Sequence, residues 1–403
     1  MKKACVTTTT PKWDALRVQP APPNGKRVVV ALSGGVDSSV AALLLHEQGY
    51  EVIGVMLRLW AADEDDGADG FAHNRCCTPD AVQDARALCE AIGAPFYLKN
   101  VEQPFKEAVV DPFIREYLAG RTPNPCLHCN RVVRFTVLLN LARALGADYL
   151  ATGHYARVVR DEEGRYHLLK GVDAQKDQSY VLYSLTQEKL AHVLFPVGHL
   201  TKPQVRELAR RYGLPLAGKP ESQEICFIAH GDYRDFLRRY APANAIRPGP
   251  IVHVDGQVLG EHQGLPFYTL GQRRGLGIPW HEPLYVVAKD MERNALIVGP
   301  RDALPVRLVE VEQVNWILGE PPPGPLEVDV RTRYKIREIP ALVEPLGADR
   351  ARVTLLAPQP AVTPGQGLVF YQGEECLGGG IIERVVSEKA LVTVGYEAMT
   401  PAQ

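Results

Sequence analysis

The chain has no apolar run approaching the roughly 20 residues that a membrane-spanning helix needs. Its N-terminus carries Lys2 and Lys3 but no apolar stretch behind them, which argues against a secretory leader. They are not Arg-rich and amphipathic either, which argues against an organelle transit peptide. The expectation is a cytoplasmic protein without a membrane partner. Excess charge is also lacking: the formal net charge is −2, so any polyanion must be held by local basic patches rather than by the whole surface. No internal repeat is visible, which excludes a solenoid. There is one C-x-x-C and no second, which speaks against a four-cysteine zinc site.

At 403 residues the chain is too long for one core, and two or three domains are expected. RVVVALS (27–33) reads as a buried parallel strand, SSVAALLLHEQG (38–49) as a helix capped by Ser38 and Ser39, and EVIGVMLRLW (51–60) as a second strand. A helix over 79–93, a strand over 95–101 and a helix–strand pair over 134–154 continue the alternation. Such alternation predicts an α/β fold with a parallel sheet. After about residue 230 helical runs give way to short strands, and the last hundred residues have the turn spacing of a small β-barrel. The expected divisions are a loose extension (1–26), a catalytic domain (27–230), a central α+β domain (231–301) and a C-terminal β-barrel (302–403).

SGGVDSS (33–39) follows the first strand and opens the first helix. Two glycines permit a tight turn that brings backbone amides to a ligand, and the helix N-terminus adds partial positive charge. Asp37 would repel a phosphate unless Mg²⁺ lay between them. A strand–helix turn with a capping serine is the bland alternative; the full context disfavours it. The motif resembles the PP-loop of ATP pyrophosphatases, which implies substrate adenylylation. GLPLAGKP (213–220) has the spacing of a different phosphate loop, but Pro220 replaces the required hydroxyl and a helix precedes it, so it reads as a helix stop and loop.

RTPNPCLHCN (121–130) places Cys126 and Cys129 on a proline-stiffened loop, and ESQEICF (221–227) supplies Cys226. Half of a zinc site, inert packing of Cys226 between Ile225 and Phe227, and sulfur chemistry between distant thiols are the competing readings. Cys5, Cys76, Cys77, Cys89 and Cys376 read as bland.

SGGVDSS, TPNPC-x-x-CN, ATGHYAR (151–157), KDQSYVLYSL (176–185), TKPQVRELA (201–209), ESQEICF and LGQRRGLGI (270–278) occur in one order. That order resembles bacterial and mitochondrial tRNA 2-thiouridylases of the MnmA/TrmU type, over residues 27 to about 380. The resemblance implies an N-terminal PP-loop domain of the adenine nucleotide alpha hydrolase-like type, a small central domain and a tRNA-contacting C-terminal β-barrel. It implies ATP contacts at Ala31, Leu32, Ser33, Gly34, Gly35, Val36, Asp37, Ser38, Leu57 and Gly153. It assigns the catalytic cysteine to Cys129 and the persulfide carrier to Cys226. Asn124, Pro125 and Cys126 would meet the target base. His154, Lys176, Asp177, Gln178, Arg333, Tyr334 and Gln366 would touch tRNA.

Leu57 stands where many members have Met, a change that a backbone contact to adenine tolerates; one other departure from the resemblance matters. Many family members carry Asp where Cys126 stands, and a thiol titrates near 8.5 where Asp titrates near 3.9. A three-thiolate [4Fe–4S] site of Cys126, Cys129 and Cys226 is therefore an alternative to persulfide chemistry.

The resemblance implies sulfur transfer to the C2 position of the wobble uridine in Lys, Glu and Gln tRNAs, with ATP and Mg²⁺. Sulfur would come from a cysteine desulfurase or relay protein, and a monomer is the default. Among basic groups, RTRYKIR (331–337) is read as a strand with Arg331, Arg333, Lys335 and Arg337 on one face and Tyr334 opposite. The rival readings are another PP-loop ligase or amidotransferase, and a non-catalytic RNA-binding protein that tolerates loss of Cys129 and Cys226.

Overall fold

In a computed structural model the described residues are 22–60, 78–219, 225–228, 232–360 and 362–387. Residues 1–21 of the extension, the acidic run 61–70, Cys5, Cys76, Cys77 and residues 221–224 of the Cys226 segment lie outside them.

The apolar run at 27–32 forms a central strand. β1 (Arg27–Leu32) pairs in parallel with β2 (Glu51–Arg58) and with β4 (Tyr149–Ala151); β3 (Phe96–Asn100) lies beyond β2. With β7 (Val193–Leu194) the order is β3-β2-β1-β4-β7. Val28, Val29 and Val30 are completely buried, as a strand covered on both faces requires. The helix Val36–Glu47 packs one face of the sheet with Val40, Ala41 and Leu43 buried, and the kinked helical run 125–144 packs the other with Leu138, Leu139 and Ala142.

Between β4 and β7 the chain makes a hairpin, β5 (Ala156–Arg160) with β6 (Tyr166–Lys170). The central region holds the helix Tyr233–Tyr240 and a sheet of β8 (Gly249–His253), β9 (Val258–His262), β10 (Tyr285–Asp290) and β11 (Ala295–Gly299), in the order β10-β11-β8-β9.

The C-terminal strands are β12 (Val306–Trp316), β13 (Leu326–Arg331), β14 (Ile339–Pro345), β15 (Ala351–Gln359), β16 (Gly367–Gln372) and β17 (Glu375–Ser387). They run β12-β15-β14-β13-β16-β17, and β17 pairs back to β12, which closes the barrel. Closure removes free edges, except where β17 also takes β6 as a neighbour through Glu375↔Leu169 and Cys376↔Leu168. The barrel is thus stitched to the first domain by backbone pairing.

RTRYKIR is not a strand throughout. β13 ends at Arg331, and residues 332–338 form the connection to β14. Thr332 is buried and Tyr334 packs against the core, but both do so from a turn, so the alternation does not require a strand.

Candidate active site

β1 delivers the chain to the Ser33–Asp37 turn at the C-terminal edge of the parallel sheet, where ligands bind in open α/β folds. Gly34 has φ +64°, and a Cβ on it would stand 2.6 Å from Ala81. A side chain is excluded there on both counts. Gly35, not a serine, is the N-cap residue of the following helix, and it makes no side-chain cap bond. Ser38 and Ser39 instead donate their hydroxyls back to the Gly35 carbonyl at 3.2 and 2.9 Å. Ser38 Oγ also accepts from the Ser33 amide at 3.3 Å. The expected serine cap is therefore corrected: these hydroxyls tighten the turn from inside. Ala31, Leu32 and Val36 support it from β1 and the first helical turn, and Gly153 packs against the Ser38 amide.

Asp37 does not stand alone beside the cradle. Lys202 Nζ reaches both its oxygens at 2.7 and 2.8 Å, and Tyr155 donates to Oδ1 at 2.7 Å. Its charge is balanced by a buried ammonium, so a metal ion is not needed to hold Asp37 beside the turn. Lys219 donates to the Gly34 carbonyl and to Asp84, each at 3.1 Å. The lysine of the rejected GLPLAGKP pattern thus reaches the cradle from outside, after the helix Lys202–Arg211 has stopped at Gly213.

The cysteine segment begins a helix. Asn124 accepts from the Cys126 amide at 3.1 Å, Pro125 takes the first helical position, and Pro125–His128 runs on into a wide π turn over Cys129–Leu138. Cys126, exposed, sits at the second position of this helix, where the backbone dipole favours negative charge. Cys129 is buried and Cys226 half-buried, and both belong to one apolar cluster with Phe105, Phe113, Phe227 and Phe236. Leu57, at the end of β2, packs against the same cluster. The two distant thiols and the strand beside the cradle therefore share one neighbourhood. Among the described residues no three His, Cys, Asp or Glu side chains come together as a metal site, so the three-thiolate arrangement is not assembled.

His154 lies inside. Burial, with Arg134 nearby, pushes its pKa down to about 3, and Nδ1 is 2.6 Å from Thr152 Oγ1 between Phe135 and Phe195. Asp177 is buried too: it accepts from the Gly171 and Ser179 amides, the Ser179 hydroxyl and Arg331. Gln178 accepts from the Tyr155 amide at 3.0 Å and shares a hydrogen bond with Tyr334. Burial pushes Tyr334 up to about 12, and Cys126 is near enough to contribute. Lys176 lies half-buried in the preceding turn. Arg333 donates to Thr363 at 2.6 Å, and burial lowers its pKa. Gln366 donates to the Thr122 carbonyl at 2.7 Å.

A family model described as a tRNA methyl transferase HUP domain matches residues 26–230; a PRC-barrel domain and an aminomethyltransferase β-barrel domain match 234–300 and 306–382. The chain is 53% identical over 360 residues to the tRNA-specific 2-thiouridylase MnmA of Moorella thermoacetica, covering 89% of this chain and 99% of that one. The chain belongs to the tRNA-specific 2-thiouridylase family. The protein of that name from Symbiobacterium thermophilum is 51% identical over 91% of this chain and 94% of its own. That from Heliobacterium modesticaldum is 49% identical over 89% and 92%.

Three groups of this thiouridylase site were missed from sequence: Tyr155 and Lys202 on Asp37, and Lys219 on Gly34. Tyr155 and Lys202 stand in motifs that carry the resemblance, yet their roles depend on contacts with a residue far away in sequence.

Proposed function

We infer that the protein uses ATP to replace the C2 oxygen of a tRNA uridine with sulfur. The observation that supports this reading is that Cys129 and Cys226 belong to one apolar cluster, which Leu57 at the end of β2 also joins. A phosphate cradle serves many reactions; thiols from two distant segments packed on one cluster favour sulfur chemistry among them.

The C2 oxygen of uridine is a poor leaving group. It attacks the α-phosphorus of ATP, and pyrophosphate leaves. The amides of Ser33–Ser38 and the ammonium groups of Lys202 and Lys219 stabilise the charge that moves onto phosphate. Magnesium would arrive with the nucleotide as its counterion, and its chemistry is to offset the charge of the polyphosphate. The terminal sulfur of a persulfide on Cys226 then attacks C2 and AMP departs. The Cys129 thiolate attacks the inner sulfur of Cys226, which releases the transferred sulfur to the base and leaves a Cys129–Cys226 disulfide. An external thiol reduces that disulfide. The base has to leave its stack to reach Asn124, Pro125 and Cys126.

The substrates in this proposal are the wobble uridines of Lys, Glu and Gln tRNAs, as the resemblance implies. Lys176, Arg333 and Tyr334 are the proposed RNA-side residues, and a cysteine desulfurase or relay protein supplies sulfur. The enzyme acts in the cytoplasm as a monomer; among the described residues no helix is long and apolar enough to cross a membrane.

Anaerobic incubation with unmodified tRNA, ATP and a sulfur source, followed by nucleoside mass spectrometry, tests the reading. It expects 2-thiouridine and tRNA-dependent AMP in step; absence of both overturns it.

A further inference from the structure

The cysteine segment is fastened to the barrel at three points. Arg121 donates Nη2 to Glu312 Oε1 at 2.8 Å and to the Ile382 carbonyl at 3.3 Å. Thr122 donates its amide to the Pro364 carbonyl at 2.8 Å and accepts on its own carbonyl from Gln366 Nε2 at 2.7 Å. Arg131, just past the second cysteine, donates to Gln313 Oε1 at 2.9 Å. The partners come from β12, from β17 and from the turn that precedes β16.

That turn presses on the segment. Gly365 has φ +91°, and a Cβ on it would stand 3.0 to 3.1 Å from the backbone of Thr122. A glycine allows the two backbones to meet. The same turn carries Thr363, the acceptor for Arg333. It therefore touches the cysteine segment through Pro364, Gly365 and Gln366, and the segment between β13 and β14 through Thr363.

Pro123 and Pro125 have no amide hydrogen, so the TPNP stretch has few backbone donors with which to anchor itself. Thr122 supplies the last backbone pair before the prolines, and both its groups are bonded to the turn. We propose that Thr363–Gln366 is a clasp, and that Gln366 is a positioning residue which sets the Thr122–Cys126 loop for reaction. RNA settling against Arg333 loads the turn, and the load passes to the loop through the Gln366–Thr122 hydrogen bond and the Gly365 contact. What the loop does rests on the thiolation reading; the clasp rests on these contacts.

Hydrogen exchange of the full-length protein without tRNA, read over residues 121–128, tests the clasp. Gln366→Leu keeps the bulk and removes the donor. Its exchange over 121–128 is expected to rise about tenfold, the scale of one lost hydrogen bond. Thiolation turnover should fall by a similar factor, while tRNA affinity stays within about threefold. Gly365→Ala, which pushes on Thr122 from the other side, should loosen the same peptide and serves if Gln366→Leu does not fold. Unchanged exchange over 121–128 in the folded variants, with the loss confined to tRNA affinity, would overturn the clasp and leave Gln366 as an RNA contact only. A wild-type enzyme that makes no 2-thiouridine would sink the functional reading but not touch the exchange result.

Discussion

Arg331 reaches Asp177 at 2.5 Å and Glu338 at 2.8 Å, joining the Lys176–Gln178 turn of the first domain to the end of a barrel strand. Lys170, on β6, also pairs with Glu338 at 2.5 Å, and the Lys170 and Arg331 cations both stand 4.7 Å from the centre of the Tyr371 ring. Asp177→Ala leaves the Arg331 guanidinium largely buried beside one carboxylate instead of two. Loss of a buried partner costs about 3–5 kcal/mol. Urea unfolding should show a drop of that order; a change below about 1 kcal/mol would mean that water replaces the carboxylate.

Lys202→Met removes the ammonium that balances Asp37. The bare carboxylate then faces the incoming phosphates. The KM for ATP is expected to rise at least about tenfold, while tRNA affinity in the absence of ATP holds. Tyr155→Phe removes one hydrogen bond to the same carboxylate and should cost about fivefold. Steady-state AMP release with saturating tRNA measures both, and an unchanged KM in Lys202→Met would contradict the proposed balance.

Cys129→Ser and Cys226→Ser should each lower thiolation by about a thousandfold or more, with tRNA-dependent AMP formation retained. Cys126→Ser should lose less than about tenfold, because an exposed thiol at the helix start is not the sulfur carrier in this scheme. Nucleoside mass spectrometry alongside AMP quantification separates the steps. Equal losses in all three variants would require Cys126 to act as a sulfur ligand or carrier.

The buried His154 ring makes stability depend on pH. Its folded pKa is about 3 against an unfolded value near 6.5, so the unfolded chain takes up a proton in that window and the native ring does not. Its contribution is intact above about 6.5 and is lost as pH falls toward 3, by at most about 1.4 kcal/mol per unit. His167 acts in the opposite sense: held between Asp161 and Glu375, its pKa is raised, and its contribution fades as pH rises through the folded value. Urea titrations at several pH values should show a shallower acid loss in a folded His154→Gln variant. Parallel curves would show that the ring takes up its proton without unfolding.

The strand–SGGVDSS–helix unit was legible because each part is local: a β-branched run, two glycines and a helix period. That Cys129 and the Cys226 segment would meet in one cluster was expected only through resemblance, since spacing alone left packing and metal readings open. The Ser38 and Ser39 caps were misread because a hydroxyl one turn inside a helix can bond back to a carbonyl as readily as it can cap. RTRYKIR was misread because Thr332 and Tyr334 can bury their side chains from a turn as well as from a strand.

The sequence by itself determined the order of strands and helices, the glycine turn that can receive phosphate, and the prolines that stiffen the chain ahead of Cys126 and Cys129. Those follow from backbone preferences that act within a few residues. The tertiary structure alone decided that Lys202 neutralises Asp37 while Tyr155 donates to it, that Lys219 reaches Gly34, and that Gln366 of the barrel donates to Thr122. Each of these joins residues more than a hundred positions apart, and a charge or an amide carries no local signal of which distant partner the closed chain will bring to it.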